Sequence, residues 1–215
     1  MELILRYEDR HKGWLRLYKE NSEKRALLLH GYGFKKEEML FLGINLAEMG
    51  YEVFLADLPG HGENPLKLTV KDVEEFLSQD VFETDFEVVL GHSLGARLAM
   101  KLSAKKYILL SPPLTPEFEG NRKELITLLR AKRVREEAPY KGLVDVLNWL
   151  GDPDFGDKDV VIFYAKNDIK SVQEFVKLAK NEGIFCYSLS DSFHNDVITS
   201  SELVECLKKL LRDEV

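Results

Sequence analysis

The chain has 215 residues, 45% of them hydrophobic and 31% charged, and carries a formal net charge of −7. That length supports one substantial core, and an acidic balance with no offsetting basic block argues against a nucleic-acid partner. No stretch approaches the about 20 consecutive apolar residues of a membrane span. The opening "MELILRYEDR" is unlike a signal peptide, so the sequence reads as cytoplasmic.

Taken in chain order, "LILRYED" and "WLRLYKE" alternate like antiparallel strands and predict an edge hairpin turned at Lys12-Gly13. "RALLLHG" (25–31) is a short apolar run ending in glycine, hence a buried strand. "KEEMLFLGINLAEMG" (36–50) sets Met39, Leu42, Leu46 and Met49 at helical spacing and stops at Gly50. "YEVFLADLPGHG" (51–62) is a strand breaking into a Pro/Gly loop, and "LTVKDVEEFLSQDV" (68–81) a helix. "FEVVLGH" (86–92), "LGARLAMKLSA" (94–104) and "KKYILLSPP" (105–113) read as strand, helix and strand. The rhythm resumes with strand "DVVIFYAKND" (159–168), helix 171–183, strand "IFCYSLS" (184–190) and a closing helix over 197–215. Strands alternating with helices of this length predict an α/β fold: a mostly parallel, doubly wound sheet in one domain, 1–215, with an antiparallel N-terminal hairpin.

Residues 112–158 interrupt that rhythm at a length too great for an ordinary connection. "RKELITLLRAKRV" places Leu125, Ile126 and Leu129 on one face, and "YKGLVDVLNWLG" offers Leu143, Val146, Leu147 and Leu150. Two amphipathic helices inserted here would form a small lid over the strand ends; a sheet-covering helix plus surface loop is the plainer alternative. Such an insert could also bury its apolar face against a second copy and make a homodimer. The basic run Arg130 to Arg135 precedes Glu136 and Glu137 and reads as a solvated helix face. Cys186 and Cys206 form neither a disulfide framework nor a metal spacing. Glutamine occurs only at Gln79 and Gln173 beside abundant Lys, Glu and Arg, a bias resembling thermophile composition.

The chemistry centres on Gly91-His92-Ser93-Leu94-Gly95 within "VVLGHSLGARLA". Ligands of open parallel sheets bind at the carboxyl ends of strands, and Ser93 follows such an end. A strained strand-to-helix turn there exposes the hydroxyl, and the flanking glycines allow close strand–helix approach. A hydroxyl needs a general base. Among His11, His30, His61, His92 and His194, only His194 follows the serine, just after another strand. The base in turn needs a carboxylate. Asp168 lies past the strand preceding the histidine strand, whereas Asp152, Asp154 and Asp157 come before that strand. The order Ser93, Asp168, His194 is the order this triad takes on such a sheet. Two backbone donors for an oxyanion are expected from Leu94 and from Tyr32, where Gly31 and Gly33 let the chain turn inward.

Together, "LLLHGYG", "FLADLPGHGEN", "VVLGHSLGARLA", "VIFYAKND" and "SFHND" resemble the successive landmarks of the α/β-hydrolase superfamily, nearest to small esterase and lipase-like members with a G-H-S-x-G elbow. The resemblance covers the chain outside 112–158. It implies Ser93 as nucleophile, His194 as base, Asp168 as acid, Tyr32 and Leu94 as oxyanion donors, and a small-molecule ester as substrate with no metal or organic cofactor. The same triad also serves thioesters, amides and acyl transfer, and a non-catalytic binding protein on this fold would be expected to lack a triad member.

Overall fold

The computed structural model describes residues 2–7, 13–83, 85–114 and 137–212. Apolar runs such as "ALLL" form strands because both of their faces are covered, so neither parity of residue can be polar. The strands are β1 (Ile4–Tyr7), β2 (Trp14–Tyr18), β3 (Lys24–Leu29), β4 (Tyr51–Ala56), β5 (Phe86–His92), β6 (Ala104–Leu110), β7 (Asp159–Asn167) and β8 (Phe185–Phe193). They form one sheet in the order β1-β2-β4-β3-β5-β6-β7-β8. The β1–β2 and β2–β4 pairs are antiparallel, and every pair from β4 to β8 is parallel.

Successive strand residues divide between two cores. Leu27, Leu29, Val89, Leu109 and Ile162 face one; Ala26, Leu28, Val88, Leu90, Ile108 and Phe163 face the other. Helices α2 (Val70–Leu77), α3 (Leu94–Ala99), α4 (Tyr140–Leu150) and α5 (Lys170–Asn181) cover the first face. Helices α1 (Leu40–Glu48) and α6 (Ser201–Arg212) cover the second. Leu42 and Leu46 of α1, and Leu203 and Leu207 of α6, are fully buried. Each such side chain contributes about 2 kcal/mol of hydrophobic stabilisation. The parallel direction of β3, β5, β7 and β8 brings the segments that follow them to one rim of the sheet. Those segments carry Gly31–Gly33, Ser93, Asp168 and His194.

The elements differ from the sequence expectations mainly at their ends. The helix expected over 94–104 stops at Ala99, because the Tyr107 hydroxyl donates to Leu102 O (2.8 Å) and accepts from Ala104 N–H (3.1 Å), stapling the turn that follows. The expected strand 184–190 runs on to Phe193 past an irregularity opposite Ala165–Asn167, so His194 follows the strand directly. The closing helix starts at Ser201 after a 3-10 turn at Asp196–Thr199. In the interval 112–158, the expected first helix (122–134) and the basic run lie outside the described residues, as do His11 and Lys12 of the hairpin turn. The second helix is α4, which buries Leu143, Val146, Leu147 and Leu150 in the core beside α2 and α3. Among the described residues, no helix is long and apolar enough to cross a membrane.

Candidate active site

Ser93 stands between β5 and α3 with φ 52° and ψ −116°, a backbone conformation that a residue with a β-carbon adopts only under constraint. Its N–H donates to Leu110 O on β6 (2.8 Å) and its C=O accepts from Ala96 N–H (3.1 Å), so strand and helix hold the turn from both sides. A β-carbon on Gly91 would come within 2.3 Å of Gly95 O, and one on Gly95 within 2.4 Å of Leu29 O. Both positions are glycine for want of space.

His194 Nε2 lies 3.1 Å from Ser93 Oγ, and its Nδ1 lies 2.7 Å from Asp168 Oδ1. Asp168 is buried, and its carboxylate also accepts from Ile169 N–H (2.9 Å), Ala165 N–H (3.0 Å) and Ser111 Oγ–H (2.5 Å). Burial by itself would raise its pKa, but the bonds and charge of His194, with Ser111 and Ile169, outweigh that and hold it below the usual carboxylate range. An ionised Asp168 accepts only, so His194 Nδ1 carries the proton and Nε2 is left as the acceptor for the serine hydroxyl. Asp152, Asp154 and Asp157 are exposed and precede β7.

The loop after β3 passes directly beside the nucleophile. A β-carbon on Gly31 would fall 2.7 Å from His92 Nδ1 and 3.1 Å from Ser93 Cβ, and Gly33 has φ 80°. Tyr32, between them, donates its hydroxyl to Ala138 O (2.8 Å). That commits its side chain to the segment entering α4. Leu94 opens α3, and the first N–H groups of a helix have no intrahelical acceptor.

Several polar residues supporting this rim were not assigned a role from the sequence. His30 and His61 are fully buried with both ring nitrogens engaged: His30 with Gly31 O (2.7 Å) and Leu58 N–H (2.9 Å), His61 with Pro59 O (2.9 Å) and Gly33 N–H (3.0 Å). They fix the loop after β3 to the loop after β4. The buried Lys36 ammonium pairs with Asp57 (2.7 Å) and Glu63 (2.8 Å) beneath the same loops. Burial would lower its pKa, but these two carboxylates raise it, so it stays charged. Ser111, at φ 47°, orients Asp168. Arg97 of α3 donates to Pro113 O (2.6 Å) and to Gly151 O, tying together the two ends of the interval between β6 and β7; burial lowers its pKa to about 10. The only sequence signal for these roles was an unexplained polar residue in an apolar context. Among the described residues, no group of three or more His, Cys, Asp or Glu is placed to hold a metal ion.

Solved structures share this architecture. The monoacylglycerol lipase of Paleococcus ferrophilus superposes with a TM-score of 0.68 at 16% identity, covering 100% of this chain and 98% of that one. A structure from a study of Nitrososphaera gargenis carboxylesterases gives 0.66 at 15% identity, covering 99% and 100%. At the sequence level, the chain is 33% identical over 90 residues to the dihydrolipoyllysine-residue acetyltransferase component of the acetoin cleaving system of Cupriavidus necator. That match covers 40% of this chain and spans only 24% of the relative's length. The model of the alpha/beta hydrolase family matches residues 26–182, most of the sheet and the whole elbow. With that match the chain belongs to the alpha/beta hydrolase family.

Proposed function

We propose that the protein is a serine hydrolase that cleaves carboxylic esters of short to medium acyl chains through an acyl-enzyme on Ser93. The observation that carries this reading is the unbroken relay from Ser93 Oγ through both nitrogens of His194 to an ionised, fully bonded Asp168. Esterase and lipase neighbours of the same fold support the choice of ester.

In the first half-reaction Ser93 Oγ attacks the acyl carbon while His194 Nε2 takes the hydroxyl proton. The carbonyl electrons move onto the oxygen, which the N–H groups of Leu94 and Tyr32 receive. One such donor is worth about 3 kcal/mol in the transition state. Collapse of the tetrahedral adduct expels the alkoxide, which leaves as the alcohol with the proton held on His194. Water then attacks the acyl-enzyme with the same base, releasing the carboxylic acid and restoring Ser93. Asp168 keeps His194 in the required tautomer and offsets the charge of its imidazolium. The chemistry uses no metal or organic cofactor.

A second acceptor in place of water would make the same acyl-enzyme an acyltransferase, a reading favoured by the acetyltransferase relative. Turnover of p-nitrophenyl acetate and butyrate by the wild type and by Ser93→Ala tests the principal reading. Hydrolysis by the wild type and its loss in the variant are expected. Comparable turnover by both would remove Ser93 from the mechanism, and product appearing only when an added alcohol is present would move the assignment to acyl transfer.

A further inference from the structure

His92, immediately before the nucleophile, is 1% exposed, and the relay from Ser93 to Asp168 does not use it. Its Nε2 lies 3.0 Å from the backbone carbonyl oxygen of His194, 102 residues away. A carbonyl can only accept, so Nε2 carries the ring proton, and Nδ1 is a bare acceptor with no partner among the described residues. The ring is stacked on Phe34 (centroids 5.7 Å apart) and lies 5.1 Å from the ring of His194. Gly31 closes the remaining side, where a β-carbon would meet Nδ1 at 2.7 Å.

On the reading of Ser93 and His194 given above, we propose that His92 is a positioning residue for the base, a neutral imidazole whose N–H anchors the main chain of His194. The His194 ring is held by Ser93 and Asp168, but the bond to Ser93 is broken once the serine is acylated. From then until deacylation, Asp168 is the one hydrogen-bond partner left to the ring among the described residues. The bond from His92 involves no reacting atom and persists throughout. A second tie acts one residue earlier, where Phe193 N–H donates to Asp196 Oδ2 (3.0 Å). The two ties bracket the residue whose ring must stay within proton-transfer distance of the water that attacks the acyl carbon.

This role requires a ring that stays uncharged beside a base that becomes cationic. Burial, reinforced by the neighbouring His194, lowers the His92 pKa to about 3, and the nearby Asp168 charge does not reverse that. A leucine or phenylalanine would fill the same space but leave the His194 carbonyl without its donor.

Steady-state hydrolysis of p-nitrophenyl butyrate by His92→Phe, His92→Gln and His92→Asn, with Ser93→Ala as reference and thermal melting as the check on folding, tests the assignment. His92→Phe is expected to lower kcat about a hundredfold, the scale of a small misplacement of a catalytic group, with KM within about twofold of wild type. His92→Gln, whose amide N–H reaches about as far as Nε2, is expected to restore kcat to within about fivefold of wild type, and the shorter His92→Asn is not. Should His92→Phe fail to fold, the Gln/Asn pair carries the comparison. Full kcat in a folded His92→Phe, or equal kcat in His92→Gln and His92→Asn, would overturn the positioning role while an inactive Ser93→Ala leaves the nucleophile in place. An active Ser93→Ala overturns both.

Discussion

The Ser111 hydroxyl donates to the Asp168 carboxylate over 2.5 Å from a residue held at φ 47°. It bridges the ends of two neighbouring strands, since Ser111 N–H also donates to Phe163 O of β7 (2.8 Å). With Ala165 and Ile169 it completes a set of donors on Asp168, and among the described residues His194 is the partner that links this carboxylate to the serine.

Asp168→Asn is therefore expected to lower kcat for a p-nitrophenyl ester about 10⁴-fold, because an amide no longer fixes the tautomer of His194. Ser111→Ala should cost far less, about tenfold, because three other donors remain on the carboxylate. Asp154→Asn serves as the exposed control and should match wild type. Near-normal kcat in Asp168→Asn, with loss in Asp154→Asn, would transfer the acid role.

Gly95→Ala is expected to destabilise the fold by about 3 kcal/mol or more in urea unfolding, since its β-carbon would meet the backbone of β3 at 2.4 Å with nothing flexible to yield. Gly50→Ala is the contrast. Among the described residues, nothing beyond its chain neighbours lies within 4 Å of a β-carbon there, and the penalty comes from φ 91°, about 1 kcal/mol. Equal losses at the two positions would contradict close approach as the reason for glycine in the elbow.

Stability should fall as the solution is acidified. His92 and His30 are held neutral by burial, His92 down to about 3 and His30 well below its ordinary value. Below the ordinary histidine value near 6.5, the unfolded chain binds protons that the folded chain does not, so each pH unit lost removes up to about 1.4 kcal/mol per histidine. The depressed pKa of Asp168 acts in the same direction at lower pH: its contribution is present above the ordinary carboxylate range and is lost as pH drops through the folded value. Urea unfolding between pH 6.5 and pH 4 should show this slope, and His92→Gln should flatten it. An unchanged slope in that variant would mean that His92 is already protonated in the folded protein.

How much of this the sequence disclosed depended on the range of the interaction. The strands β3, β5, β6 and β7 were legible because burial on both faces writes an unbroken apolar run into the chain. Gly91 and Gly95 were legible because a tight turn admits few residue types. Ser111 and His92 were not, since each acquires its role from a partner far along the chain, 57 and 102 residues away. Locally, Ser111 reads as the end of a strand before two prolines, and His92 as one of the histidines that do not follow the serine. The early stop of α3 has the same origin, a hydroxyl on the following strand that no helical periodicity registers. Helix α4 carries an amphipathic pattern that suits a lid or a core helix equally, and its packing against α2 and α3 is decided by the tertiary fold.

The central claim is that Ser93 is an activated nucleophile. Incubation of the folded protein with a fluorophosphonate, followed by mass spectrometry of the peptides, tests it directly. One phosphonyl adduct on the peptide containing Ser93 is expected, formed at a rate that falls by orders of magnitude in His194→Ala. An unmodified Ser93 peptide after prolonged exposure, or a label on another residue in the same intact protein, would contradict it.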